Sequence, residues 1–257
     1  MTTKSSSINK RLHRIVRTVR PLVDALFPRI CQICDTVLLD PNSESICQEC
    51  LLSFAPDENR CQRCSAPVPR SVAVNPKKCH LCKKTWHFQR AICLCAYRAS
   101  AAKAARRMKS ANHEPLTAEI GVHMGKWLNE TVNIIHYDAL IPIPQHWYRR
   151  ATLRYNQAEV LARKIATECD IAVREDLLKR TRLTAKQGTK TIQERQLSLI
   201  DSFACTRPDF VKYKSFLLVD DIVTSGATAS EAAKPLMDAG AKRVDIVAFA
   251  RGASVGK

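Results

Sequence analysis

Apolar residues recur at steps of three and four near the start of the chain: Ile8, Leu12, Ile15, Val16, Val19, Leu22, Val23, Leu26 and Phe27. That spacing predicts one face of a helix, with Arg11, Arg14, Arg17 and Arg20 lining another face and Pro21 interrupting the pattern. Three readings of this basic amphipathic segment, residues 1–30, stay open: a helix docked on the rest of the fold, a helix touching lipid or nucleic acid, and an organellar transit peptide. Residues 31–95 have few long apolar runs and read as a small module that burial alone would not hold together. Ala99–Met108, rich in Ala, Lys and Arg, predicts a basic helix, and residues 116–130 a second one.

Beyond residue 138 the pattern alternates between strands and helices. Ala139–Ile143 reads as a short apolar strand bounded by prolines, and Ala158–Glu168 as a helix. Leu177–Thr191 is polar and Lys/Arg-rich, like a mobile loop. Phe216–Val219 reads as a buried strand, Ala229–Ala239 as a helix stopped by Gly240, and Val244–Ala250 as another buried strand. Pro235 falls inside that helix, where it removes a hydrogen bond and bends the axis. Near-continuous apolar strands separated by helices indicate an α/β fold with a parallel sheet covered on both faces. The expected units are residues 1–30, a cysteine-rich module over 31–95, and an α/β domain over 96–257.

With 257 residues, 46% of them hydrophobic and 25% charged, the chain matches ordinary globular proteins. It has no apolar run of about 18 residues, so no membrane span is expected. The formal net charge of +17 changes the picture, because such an excess favours polyanions, nucleic acid foremost and acidic membranes second. A basic pI that merely aids solubility is the plainer account.

Twelve cysteines need an explanation. No secretory signal is read, so a disulfide framework lacks its oxidising compartment and a cytoplasmic setting is expected. Eight of the thiols form four Cys-x-x-Cys pairs: Cys31/Cys34, Cys47/Cys50, Cys61/Cys64 and Cys79/Cys82. Each turn can place two thiolates on one ion, and two turns close the tetrahedral four-sulfur geometry of structural zinc. Two structural Zn²⁺ sites are therefore expected. Pairing of the first turn with the second and the third with the fourth is simplest, and a cross-braced arrangement is the alternative. His80 and His87 read as bystanders, and Cys93, Cys95, Cys169 and Cys205 as ordinary buried thiols. The metal can replace a missing core. The module can also present Arg60, Arg63, Lys77, Lys78, Lys83 and Lys84 to a polyanion, with Trp86 and Phe88 stacking on bases.

The strongest single signal is Phe216-Leu217-Leu218-Val219-Asp220-Asp221-Ile222-Val223-Thr224-Ser225-Gly226-Ala227-Thr228. An apolar run ends in two carboxylates, followed by a Thr/Ser/Gly turn and a helix-like stretch. Backbone N–H groups of such a turn suit a phosphate, and the carboxylates suit hydroxyls or a divalent ion. Helix capping and solvated charge are the bland account of Asp220 and Asp221.

Residues 218–228 resemble the phosphoribosyl-pyrophosphate motif of type I phosphoribosyltransferases. Phe27-Pro28 ahead of Cys31, the four cysteine pairs, Asn156-Gln157, Gln187, Glu194-Arg195 and Phe203 extend the match. Together they resemble the ComF/GntX family, a double zinc ribbon followed by a parallel sheet of type I phosphoribosyltransferase type, from about Leu26 to Arg251. The resemblance implies that Asp220 and Asp221 contact ribose hydroxyls, directly or around Mg²⁺. It implies that Thr224, Ser225, Gly226, Ala227 and Thr228 hold the 5′-phosphate. Ile141, Pro142, Ile143 and Pro144 would form the pyrophosphate-side loop. Gln187 to Arg195 would fall in a hood over the site, with Lys186, Lys190 and Arg195 facing the leaving pyrophosphate, and Gln187 and Arg195 are the candidate catalytic residues. The chain departs from the family pattern at Arg154, where glycine is usual, and at Ser198, where asparagine is common.

Two functions follow from the resemblance. One is binding of phosphoribosyl pyrophosphate, or a related phosphoribosyl ligand, together with single-stranded nucleic acid in DNA uptake and natural transformation. Its partners would be a DNA-uptake helicase or other competence proteins. The other is an active phosphoribosyltransferase of nucleotide or nucleoside metabolism, in which a nitrogen nucleophile displaces pyrophosphate. No segment names an acceptor base or amine, so whether the chain is an enzyme stays open. A zinc-stabilised scaffold is a third reading, and it leaves the phosphate motif unexplained.

Overall fold

The computed structural model describes residues 28–40, 43–56, 59–69, 79–145, 155–181 and 201–252. The expected helix over 8–27, Lys77 and Lys78, Arg154, and the hood residues Lys186, Gln187, Lys190, Glu194, Arg195 and Ser198 lie outside them. Four strands make the central sheet: β1 (Ala91–Ala96), β2 (Ala139–Pro142), β5 (Ser215–Val223) and β6 (Arg243–Arg251). Their order is β1-β6-β5-β2, and every pairing is parallel. A separate antiparallel pair joins β3 (Leu178–Arg180) to β4 (Phe203–Cys205).

Strand side chains alternate between two buried faces, which is why the strands read as continuous apolar runs. Leu140, Leu217, Val219, Val247 and Phe249 face one core with α2 (Ala99–Arg107), α3 (Glu114–Thr131) and α4 (Gln157–Cys169). Ile141, Leu218, Ile246 and Ala248 face the other, with α6 (Ala227–Asp238) and the β3–β4 pair. Between β4 and β5 stands a single helical turn, α5 (Pro208–Val211). Pro235 lies in α6, which continues through it to Asp238.

Among the described residues the expected helices and strands are present with three changes. Leu178–Arg180, read as part of a loop, pairs with β4 instead. β5 does not stop at Val219 but runs through both aspartates to Val223, held by β6 along its whole length. Ala91–Ala96, read as the end of the cysteine module, is the edge strand of the sheet, so the expected boundary between residues 95 and 96 falls inside β1. Cys93 and Cys95 are buried there, and Cys169 is buried at the end of α4. Cys205 is only half-buried.

The N-terminal module repeats one backbone device. Cys31 N–H donates to Thr36 O at 2.7 Å and Asp35 N–H to Cys31 O at 2.9 Å; Cys61 N–H donates to Ala66 O and Ser65 N–H to Cys61 O, both at 2.8 Å. Asp35 and Ser65 both take the left-handed conformation, with φ of 66° and 53°. Each knuckle is closed by an antiparallel bridge, Ile30 with Val37 and Arg60 with Pro67. The second pair of each unit opens a short helical segment: Cys47 caps α1 (Gln48–Leu52), and Cys79 caps a 3₁₀ turn over His80–Lys83. The first unit packs into the main core, where Phe54 meets Phe249 edge to face at 4.9 Å. Among the described residues no helix is long and apolar enough to cross a membrane.

Candidate functional site

The structure groups the thiols as Cys31, Cys34, Cys47 and Cys50, and as Cys61, Cys64, Cys79 and Cys82, with the sulfurs of each set within 4.8 Å of one another. This is the simple pairing, not the cross-braced one. Neighbouring sulfurs lie 3.6 Å apart for Cys34 and Cys47, 3.5 Å for Cys61 and Cys82, and 3.8 Å for Cys64 and Cys79. A tetrahedral zinc site with Zn–S bonds of about 2.3 Å needs sulfurs about 3.8 Å apart. The eight thiols therefore fit two structural Zn²⁺ ions, each with a complete sulfur set. Neither histidine belongs to either set. The backbone N–H of His87 donates to Ser230 Oγ at 3.0 Å, and its Nδ1 lies 3.1 Å from the same oxygen.

Asp220 and Asp221 sit near the C-terminal end of β5, beside the end of β2 on one side and β6 on the other. Neither caps a helix; Gly226 is the N-cap of α6, with φ of 79°. Asp221 is buried. Its Oδ1 accepts the backbone N–H of Ile222 at 2.9 Å, and its Oδ2 accepts from Gln157 Nε2 at 3.2 Å. Asp220 Oδ1 accepts the Asp221 N–H at 2.9 Å. Burial, and then the neighbouring charge of Asp221, push the Asp220 carboxyl well above the ordinary carboxylate range. A cation beside the pair, or the hydroxyl donors of a ligand, would offset this penalty on the charged form.

Thr224, Ser225 and Gly226 form the bend between β5 and α6. Ser225 Oγ accepts the Ala227 N–H at 3.3 Å, and Ser230 N–H donates to Gly226 O at 2.8 Å. The bend therefore leads directly into the N-terminus of a 12-residue helix, where backbone N–H groups converge. Ile141 to Pro144 lie alongside: Ile143 N–H donates to Val219 O at 2.9 Å. Asn156 caps α4 by accepting the Ala158 N–H at 3.1 Å, and its amide reaches Ile143 O at 3.4 Å. One turn of hydrogen bonds thus gathers the end of β2, the start of α4 and the end of β5.

That gathering fixes an amide order. Asp221 can only accept, so Gln157 presents its NH₂ to it and its oxygen to Gln145 Nε2, at 2.6 Å. Gln145 was not singled out from the sequence; Gln157 was, through its place beside Asn156. The wall of the bend was also missed. Trp86 and Phe88 stack on each other at 5.0 Å and 15°, and a Cβ on Gly226 would lie 3.1 Å from Trp86 Nε1 and 3.4 Å from Phe88 Cζ. Phe88 is buried and not free to stack on bases as expected, while Trp86 is half-buried with one face against Phe88. Arg60 and Arg63 are likewise engaged, donating to Cys93 O at 2.8 Å and Cys82 O at 3.2 Å. Lys83 and Lys84 remain exposed.

Arg251 is the other residue without a sequence signal beyond its place at the end of an apolar strand. Almost fully buried, it donates from Nε to Cys64 O at 2.7 Å and from Nη1 to Val223 O at 2.7 Å, Gly252 O at 3.0 Å and Thr224 O.

Comparison with known proteins adds to this geometry. A model described as a double zinc ribbon domain matches residues 22–75. Over 116 residues the chain is 30% identical to Competence protein F of Haemophilus influenzae, a match covering 44% of this chain and half the length of that relative. Over 233 residues it is 25% identical to the DNA utilization protein YhgH of Shigella flexneri, covering 87% of this chain and 97% of the other. The Escherichia coli K12 protein of the same name is 24% identical over the same span. Among solved structures, glutamine phosphoribosylpyrophosphate amidotransferase from B. subtilis aligns at 17% identity, with a TM-score of 0.36, over 51% of this chain and 26% of that one.

Proposed function

The chain belongs to the ComF family, and from that premise we propose that it binds a phosphoribosyl ligand at the end of β5 and serves in the handling of incoming single-stranded DNA. The observation that carries the ligand half is the pair of a half-buried Asp220 and a buried Asp221 running straight into the Gly226 bend and the N-terminus of α6. On this reading the two carboxylates face the ribose hydroxyls, directly or around Mg²⁺. Thr224 to Thr228 hold the 5′-phosphate, and the loop from Ile141 to Pro144 faces the pyrophosphate. Bound Mg²⁺ would supply charge neutralisation to the pyrophosphate. Gln157 keeps Asp221 oriented in either case.

The DNA half rests on the names of the relatives, Competence protein F and DNA utilization protein, and on a formal charge of +17. The test is ³¹P NMR of phosphoribosyl pyrophosphate with Mg²⁺ and the zinc-loaded protein, with and without single-stranded DNA. Broadened but intact ligand signals support a binding module. Release of pyrophosphate above the protein-free control identifies a transferase and replaces the binding reading. Unperturbed ligand signals sink the site assignment.

A further inference from the structure

We propose that the second four-cysteine site governs the phosphate bend, so that metal held by Cys61, Cys64, Cys79 and Cys82 sets how tightly the bend grips a phosphoribosyl ligand. The inference rests on the reading of the Thr224–Gly226 bend as the ligand site. Three contacts tie that metal site to the bend, and they come from different residues. Arg251 bonds the carbonyl of the ligand Cys64 and, with the same guanidinium, the carbonyls of Val223 and Thr224. Trp86, four residues after the ligand Cys82, stands against Gly226. His87 holds Ser230, whose N–H closes the first turn of α6 on Gly226 O. Arg63 fastens this wall from behind, donating to Cys82 O while its guanidinium lies 5.4 Å from the Trp86 ring centroid.

The second unit has little apolar core of its own; its other ties are polar ones to β1, where Arg60 donates to Cys93 O at 2.8 Å and Ser65 Oγ donates to Ala91 O at 2.9 Å. Its buried apolar cluster is Cys61, Cys64, Ala66 and Cys79, with Val68, Leu81, Cys82 and Trp86 packed partly against it. Half of that cluster is the metal ligands themselves, so without the ion four thiols crowd together beside only Ala66, Val68, Leu81 and Trp86. The first unit differs. Its Cys31, Ile33, Ile46 and Phe54 are part of the main core, and its polar ties run to α3 and the end of α2: Glu119 accepts the Ser45 N–H at 2.7 Å and Arg107 pairs with Asp35 at 3.0 Å. None of the described contacts of the first unit reaches the bend. The two sites are thus alike in ligand chemistry and unlike in what they touch.

The experiment uses full-length zinc-loaded protein, with Cys82→Ser to open the second site and Arg251→Lys to cut the link while both sites stay whole. Phe54→Leu, which loosens the first unit against Phe249, controls for general loss of stability. Zinc content, amide hydrogen exchange over residues 223–230, and calorimetric binding of phosphoribosyl pyrophosphate with Mg²⁺ are measured on each. Cys82→Ser is expected to lose one zinc equivalent, to exchange amides 223–230 at least tenfold faster, and to bind at least tenfold more weakly. Arg251→Lys is expected to keep both zinc ions and still show faster exchange and weaker binding. Phe54→Leu is expected to leave both within twofold. Unchanged exchange at 223–230 in Cys82→Ser and Arg251→Lys overturns the proposal, as does an equal effect in Phe54→Leu. Absence of binding to the wild-type protein defeats the ligand reading alone, because the exchange measurement needs no ligand.

Discussion

Replacement of Gly226 by alanine probes the bend from two directions at once. At φ of 79° and ψ of 2° the backbone is left-handed, where a Cβ costs about 1–2 kcal/mol. The new methyl would also sit 3.1 Å from Trp86 Nε1 and 3.2 Å from its Cε2. Trp86 has little room to retreat because it is stacked on Phe88, which is 2% exposed, and forcing extra volume into such a site costs about 1–3 kcal/mol. Together these give a loss of roughly 2–5 kcal/mol, or about 4–20 °C in Tm for a chain of this size. Gly240→Ala isolates the backbone part. Its φ of 86° is equally left-handed, but its Cβ would meet nothing closer than Lys212 Cγ at 3.4 Å. Thermal unfolding of the zinc-loaded proteins, with tryptophan fluorescence as the second channel, should show the larger loss and a shifted Trp emission in Gly226→Ala alone. Equal losses in the two variants, or an unshifted spectrum, would refute the packing of Trp86 on the bend.

Other predictions concern the carboxylates and the thiols. The raised Asp220 carboxyl keeps a proton in the folded chain that the unfolded chain releases. Stability therefore falls as pH rises from the ordinary carboxylate range through the raised value. Asp220→Asn should flatten that part of the Tm–pH curve, and an identical slope in both proteins would count against the burial of this group. Gln157→Leu should weaken phosphoribosyl pyrophosphate binding about tenfold with Tm changed by only a few degrees, since it frees Asp221 without emptying the core; calorimetry at equal zinc content decides it. Burial pushes the Cys93 thiol up to about 12 and the Cys169 thiol up to about 11, so both should resist iodoacetamide at pH 8 while the half-buried Cys205 reacts. Chelation should then release two zinc equivalents and expose eight further thiols, and a smaller number would mean that one sulfur set holds no ion.

Local chemistry was readable from the chain, and distant partnership was not. The cysteine pairs announce their metal because the ligands come in turns of four residues, and the repeated left-handed residue after each knuckle is a local necessity. The apolar run before Asp220 announces a strand for the same reason, although its end was misplaced: carboxylates at positions 220 and 221 look like solvent-facing residues until β6 is seen to pair beyond them. Ala91–Ala96 carried two cysteines and so read as part of the metal module, while its partner lies 155 residues further on, Ala91 pairing with Ile246. Trp86 and Phe88 have the composition of a stacking surface, and only their contact with Gly226 shows them to be a wall. Arg251 gave no sign at all, since a lone arginine at a strand end is ordinary until its four carbonyl partners are counted.

The position of β6 between β1 and β5 has a consequence for how the chain must be made. β1 leaves the ribosome early, and among the described residues its only strand partner is the last strand to emerge. At about 5–20 residues per second, the wait is on the order of 10–30 s. During that interval an apolar edge, Ala-Ile-Cys-Leu-Cys-Ala, has no ladder to join, and such edges invite pairing with the wrong chain. The metal-bound knuckles that precede it can close locally at once, anchoring one end of β1 while the sheet is still in two pieces. A nascent chain stalled before residue 243 would thus carry both metal sites and both aspartates, yet lack the strand that joins them.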